Sequence, residues 1–416
     1  VAYDDRGRLV DQTWRVDDPA QSGVEHEFSM GWAYDPADRL VSVTYPDGDT
    51  AATGDTVTYT FDARTGRALS ATRTGGFTLV DSASYTPQGQ PLSFQLSTAA
   101  DSYGVVRSWE YYTDTLRVAN LRAKTNGSST FDVQSLSLSR TAEGSVTRRM
   151  DWRNSAQAEC YEYDNLQRLT AAFTTDDVGG SDDDCSNGYV SVGSGPYDHS
   201  YGYDPAGNLT NLDAATWVYG GANSPSPNGL TTAGSNTFAY DTAGRQTTRT
   251  GPGLSQTISW TETSMPAALT EGTDTTGFYY TADNTRLVRE DPDGSVTITL
   301  GDWYEAEITR RDLTETDHYT FAGYPIGFAT DDGTNTETWF TFTDQLSTNS
   351  VFYNHTQNGT ITRQWFGPWG QQRATTGTIP SELGYTGQRS DPTGLMDYGA
   401  RLYDPAHATF ISPDTI

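Results

Sequence analysis

The chain is poor in most of what a catalytic centre or a membrane span needs. Its 416 residues include two cysteines, four methionines and five histidines. No Cys-x-x-Cys zinc pair exists, and His26, His199, His318, His355 and His407 are scattered without His-x-x-x-His spacing, so no metal set is readable. No apolar run is long enough to cross a membrane as a helix, and no signal peptide is visible. P-loop, Gly-x-Ser-x-Gly and dinucleotide fingerprints are missing, so nothing implies a cofactor. No long segment has helical periodicity. Positive charge is scarce: 26 basic against 54 acidic residues give a net charge of -28. That balance argues against nucleic acid and anionic membranes as partners and is compatible with a cationic one. Lys124 is the sole lysine, and no functional reading accounts for it.

What the chain has is repetition. Tyr3-Asp4-Asp5-Arg6-Gly7-Arg8-Leu9 returns as Tyr34-Asp35-Pro36-Ala37-Asp38-Arg39-Leu40 and Tyr163-Asp164-Asn165-Leu166-Gln167-Arg168-Leu169. It returns again as Tyr203-Asp204-Pro205-Ala206-Gly207-Asn208-Leu209 and Tyr240-Asp241-Thr242-Ala243-Gly244-Arg245, with a variant at Phe61-Asp62 and weaker copies at Tyr85 and Tyr280. Tyr ends a strand with a ring that packs and a hydroxyl that needs a polar partner. Asp accepts backbone N–H groups two residues on and so starts a turn. Pro presets φ, Gly supplies positive φ, and Leu opens the return strand. The flanks alternate, as in Thr58-Tyr59-Thr60-Phe61 and Val296-Thr297-Ile298-Thr299-Leu300, which marks half-buried strands. The expected fold is all-β: repeated antiparallel hairpins in one extended architecture. A residue used many times over is scaffold, so the Tyr-Asp pairs before residue 385 are not expected to be catalytic.

Cys160 and Cys185 bracket a loop rich in Asp and Gly. A disulfide between them would staple this insertion to the sheet and point to an oxidising compartment. The acidic run from Asp176 to Asp184 lacks the spaced ligands and Gly of a calcium loop and reads as a solvated loop. Val1 reaches a Tyr-Asp turn at once, and Ile416 closely follows Ser412-Pro413-Asp414. Both ends read as cut from a longer polypeptide.

The C-terminal stretch is of another kind. It runs Tyr385-Thr386-Gly387-Gln388-Arg389-Ser390-Asp391-Pro392-Thr393-Gly394-Leu395, then Tyr398-Gly399-Ala400-Arg401-Leu402-Tyr403-Asp404-Pro405, then Phe410-Ile411-Ser412-Pro413-Asp414. This closely resembles the core element of the Rhs/YD-repeat family, which includes the C components of insecticidal toxin complexes and the ectodomains of teneurins. The segment from Phe342 to Gly370 is similar to the strand pair before that core. The resemblance implies a long antiparallel sheet wound into a hollow spiral β-shell, with the core element curling inward as a plug. It implies residues 1–384 as YD-repeat shell and 385–416 as core segment, truncated before the family's self-cleavage site. In that family Arg401 matches the arginine beside the cleavage site, and Asp414 matches the first of two catalytic aspartates. Two close carboxylates can share a proton, one activating water while the other donates, and an adjacent Arg keeps one ionised. The second aspartate belongs to a further Asp-Pro-x-Gly motif beyond Ile416. Asp391-Pro392-Thr393-Gly394 has those letters but precedes Arg401 and reads as a turn. The family's Gly-Arg-Phe is Ala408-Thr409-Phe410 here, a departure expected to alter the local backbone and charge.

Three functions are consistent with this reading. The first is the shell of a secreted bacterial toxin that encloses and delivers a C-terminal toxin, its cargo basic if the acidic charge faces inward. The second is a teneurin-like adhesive or carbohydrate-binding shell at the cell surface. The third is a self-cleaving aspartyl-protease-like core in the full-length parent. Open sheet edges would also favour a homo-oligomer.

Overall fold

The computed structural model describes residues 1–49, 53–176, 185–222 and 224–414. The acidic run at 177–184 lies outside them.

The repeat turn explains why these residues form hairpins. In the first copy, one Asp4 carboxylate oxygen accepts the backbone N–H groups of Arg6 (2.9 Å) and Arg8 (3.0 Å). Its other oxygen accepts Arg8 Nε at 2.7 Å, and these bonds to Arg8 hold the Asp4 carboxyl down to about 2. Asp35 with Arg39, Asp164 with Arg168 and Asp241 with Arg245 repeat the arrangement. The third residue after the Asp has positive φ whether it is glycine (Gly7, Gly207, Gly244) or not (Asp38, Gln167). The Asx bonds therefore impose the left-handed turn even where a side chain must bear it.

The arginine then reaches the next turn. Arg8 lies over the Tyr34 ring (4.9 Å), Arg39 over Phe61 (4.6 Å), Arg168 over Tyr203 (4.8 Å) and Arg245 over Trp260 (5.5 Å). Arg8 also donates to the Asp35 carbonyl (3.0 Å) and Arg168 to that of Asp204 (3.2 Å). The Tyr hydroxyls point backward. Tyr163 donates to the Val146 carbonyl, Tyr203 to Leu169 and Tyr240 to Leu230, each at 2.8 Å. Each hairpin is thus fastened to its neighbours by bonds that the Tyr-Asp pattern itself provides.

Thirty-two strands, from Ala2–Tyr3 to Gln372–Thr376, form one sheet. Each strand pairs antiparallel with the next in sequence, as Leu9–Asp17 does with Glu25–Tyr34 and Thr360–Phe366 with Gln372–Thr376. Two 3-10 turns are the helical elements among the described residues. No pairing joins the first strand to the last among them, so the sheet is open and not a closed barrel. It curls until its early strands lie against later ones. Phe28 and Tyr45 meet Tyr304 and Tyr319, and Phe94 meets Phe321, with ring centroids 5.1–5.7 Å apart. One buried cluster unites residues from Val16 to Leu136 with residues from Val288 to Tyr353. Arg107, 1% exposed, crosses this seam and donates to the Pro325 carbonyl (3.0 Å) and the Thr343 hydroxyl (2.8 Å). Hydroxyl pairs such as Thr13–Ser29, Thr60–Ser70 and Thr237–Thr250, each 2.7 Å, tie neighbouring strands elsewhere. The disulfide between Cys160 and Cys185 is present.

The coupling between hairpins is directly testable. Arg168→Met removes the Asp164 pair, the Tyr203 stack and the Asp204 carbonyl bond together. It should lower the unfolding free energy by about 1–2 kcal/mol, read from the urea midpoint. Arg168→Lys should restore less than half of that loss, because an ammonium lacks the planar fork.

Candidate functional site

After the last strand of the large sheet, the chain forms a small antiparallel sheet of four short strands: Arg389–Ser390, Met396–Asp397, Leu402–Asp404 and Thr409–Phe410. It lies on the large sheet through an apolar patch and an ionic one. Leu395, Leu402 and Ile411 are buried against Ile258, Leu269 and Phe278. Main-chain bonds also join the flanks of the small sheet to the large one, Gln246 N–H to the Ile411 carbonyl (2.9 Å) and Asn349 N–H to that of Gly384 (3.0 Å).

The ionic patch is dense. Arg286 grips Asp391 with two bonds of 2.7 and 2.9 Å, and its Nε lies 2.9 Å from Asp397. Arg289 holds Glu382 at 2.7 and 2.8 Å. Arg389, reaching the other way, holds Glu305 at 2.8 and 2.6 Å. Burial would raise the Glu305 carboxyl, but Arg389 outweighs it and keeps the group far below its usual range. Burial raises Asp397, because Arg286 only partly compensates it. At the far end Asp404 accepts from Arg249 and meets His407 Nδ1 at 2.5 Å, while Asn236 contacts His407 Nε2 at 2.9 Å.

The residues singled out by the resemblance fall on this segment. Arg401 Nη2 lies 3.5 Å from an Asp414 oxygen, and its guanidinium stacks 3.8 Å above Phe410. The Asp414 side chain is 72% exposed and that of Arg401 23%, so the carboxylate stands at the surface over a largely covered guanidinium. The Asp391 to Gly394 stretch is a turn, with Gly394 N–H bonded to the Asp391 carbonyl at 3.0 Å. Its carboxylate is no idle turn residue, however, because Arg286 clamps it. Ala408, where the family has Gly, keeps a left-handed backbone (φ 48). The substitution therefore strains the backbone without redirecting it.

Sequence reasoning did not find Arg286, Arg289, Arg249, Glu305 or Glu382. A faint signal existed. Position six after the repeat tyrosine is Leu9, Leu40, Leu169 and Leu209, but it is Pro91, Gln246 and Arg286 in three other copies. The last two of these touch the C-terminal segment. Among the described residues no group of acidic, His or Cys side chains is placed to hold a metal.

No family model matches the chain, and no curated protein matches it in sequence. Solved structures do match in fold. A TcdB2-TccC3-Cdc42 crystal structure superposes on 99% of this chain with TM-score 0.80 at 15% identity. TcdB2-TccC3 without its hypervariable C-terminal region gives 99%, 0.80 and 16%. A Photorhabdus luminescens Tc holotoxin pore gives 98%, 0.77 and 15%. The present chain spans 22% of the length of each of those chains. The chain thus shares its all-β fold with these toxin-complex structures.

Two substitutions probe the segment. Arg286→Ala leaves Asp391 buried with only the 3.3 Å contact to Arg289. It should cost about 3–5 kcal/mol and make residues 382–414 the first site cut in limited proteolysis. Ala408→Gly should instead stabilise by about 1 kcal/mol, seen as a higher urea midpoint.

Proposed function

We propose that the chain is the shell-forming part of a secreted Rhs/YD-repeat toxin. In this reading residues 1–384 are the shell wall, and 385–416 are the core segment that plugs one end. The shell encloses and delivers a toxin polypeptide that follows the core in the parent protein. The observation that carries the reading is the superposition of nearly the whole chain on TccC3-containing structures. One of those structures lacks a region described as hypervariable and C-terminal, which is the place a cargo would occupy. The net charge of -28 suits a basic cargo, and the disulfide suits an oxidising compartment.

Arg401 and Asp414 are assigned to self-processing in that parent. Their 3.5 Å approach supports the pairing. Arg401 favours the ionised carboxylate, and a second aspartate supplied from outside this chain would complete a proton-sharing dyad.

The test is the chain extended through a downstream Asp-Pro-x-Gly element and a reporter polypeptide, beside its Asp414→Asn version. Two results are expected: a cut that needs Asp414, and a reporter that resists added protease until the shell is denatured. A digested reporter would overturn the enclosing role and favour an adhesive or carbohydrate-binding shell. An uncut chain in both versions would remove the self-processing role alone.

A further inference from the structure

Where the sheet passes back over itself, it leaves a cavity of about 280 Å³. One wall comes from strands Gln134–Arg140, Val146–Asp151 and Gln157–Tyr163. The other comes from the Asp344 turn and strand Thr360–Phe366, with Tyr385 of the C-terminal segment between them. Protein interiors leave few voids larger than a water. An apolar cavity of about 150 Å³ holds one benzene, so this one has room for a two-ring molecule.

The walls define its chemistry. Tyr161, Tyr163, Trp365, Phe366 and Tyr385 supply aromatic surface. The hydroxyl and indole donors of these rings are engaged within the protein. Tyr161 donates to Glu159 (2.7 Å), Tyr163 to the Val146 carbonyl (2.8 Å) and Tyr385 to the Pro368 carbonyl (2.6 Å). Trp365 Nε1 donates to Asp151 (3.1 Å). What these hydroxyls still offer is lone pairs. Arg149 offers an anion little, because it is held between Glu159 (2.6 Å) and Asp344 (3.0 Å). Arg363 bonds the Asp132 carbonyl at 3.4 Å, but Asp151, Glu159 and Asp344 outnumber the two arginines, so the lining is negative on balance. Burial would raise the Glu159 carboxyl, yet the Arg149 and Arg373 guanidiniums hold it down to about 2. Glu159 therefore stays ionised at neutral pH.

We propose that this cavity is a binding site for a compact aromatic molecule, neutral or cationic, that brings its own N–H or O–H donors. Indoles and aromatic amines fit this description; aromatic carboxylates and phosphates do not. Because Tyr385 belongs to the C-terminal segment, a bound molecule would also tie that segment to the seam.

The experiment is calorimetry and saturation-transfer NMR on the whole protein, with indole, tryptamine and indole-3-acetate as probes. Indole and tryptamine should bind saturably at one site, and indole-3-acetate at least tenfold more weakly. Val351→Trp fills the buried wall, and Leu346→Trp fills the lip, where Leu346 is 51% exposed and folding is not at risk. Each should weaken indole binding at least tenfold. If Val351→Trp does not fold, Leu346→Trp decides alone. Three results would overturn the site: no saturable binding up to about 5 mM, equal binding of indole-3-acetate, or indole binding unchanged in Leu346→Trp.

Discussion

The structure depends on a guanidinium that does three things at once. In the repeat turn it pairs with its own Asp, covers the next aromatic ring and bonds the next turn's carbonyl, as Arg8 and Arg168 show. An isolated surface ion pair contributes little, and an isolated two-stranded hairpin is marginal in water. Linked head to tail, the same contacts make each hairpin a template for the next. That local rule favours the sequential pairing seen along the thirty-two-stranded sheet. Its stability accumulates from neighbour to neighbour, as in other repeat proteins.

The same chemistry changes purpose where the C-terminal segment lands. Three arginines, Arg286, Arg289 and Arg389, face Glu305, Glu382, Asp391 and Asp397 in a largely buried layer. Ion pairs of this kind repay their desolvation only with good geometry. Paired bonds to one carboxylate, as from Arg286 to Asp391 and from Arg389 to Glu305, provide it. An apolar contact alone, such as that of Leu395 and Ile411, would tolerate sliding by one residue. The charge pattern does not, so it fixes where the segment sits. At the seam of the sheet Arg149 likewise bridges two carboxylates, whereas Arg107 bonds a carbonyl and a hydroxyl.

The fold was legible because its information is local. Asp followed by a left-handed position and a return strand can be read in any single copy, and repetition removes the ambiguity. The C-terminal segment was legible through its motif, and the two residues the motif singles out, Arg401 and Asp414, lie 3.5 Å apart. The docking arginines were not, because their partners are about a hundred residues away, as from Arg286 to Asp391. Their trace was weak: the leucine of the repeat is replaced at Gln246 and Arg286, but also at Pro91, which docks nothing. The cavity was invisible in sequence for the same reason, since its walls come from strands about two hundred residues apart.

The near absence of lysine finds its reason here too. A lysine ammonium is a compact point charge, whereas the arginine fork presents several donors in a plane and stacks on rings. At Arg39 and Arg245 one side chain meets an Asp and an aromatic face together. At Arg149 and Arg389 it bridges two carboxylates. At Arg373 it joins Glu159, the Gly195 carbonyl and the Tyr197 ring. A lysine at any of these positions would keep one partner and strand the rest, several of them buried. Lys124, by contrast, lies half-buried in strand Val118–Thr125, away from the repeat turns. A chain that joins its turns by multi-partner cations has to take those cations from arginine.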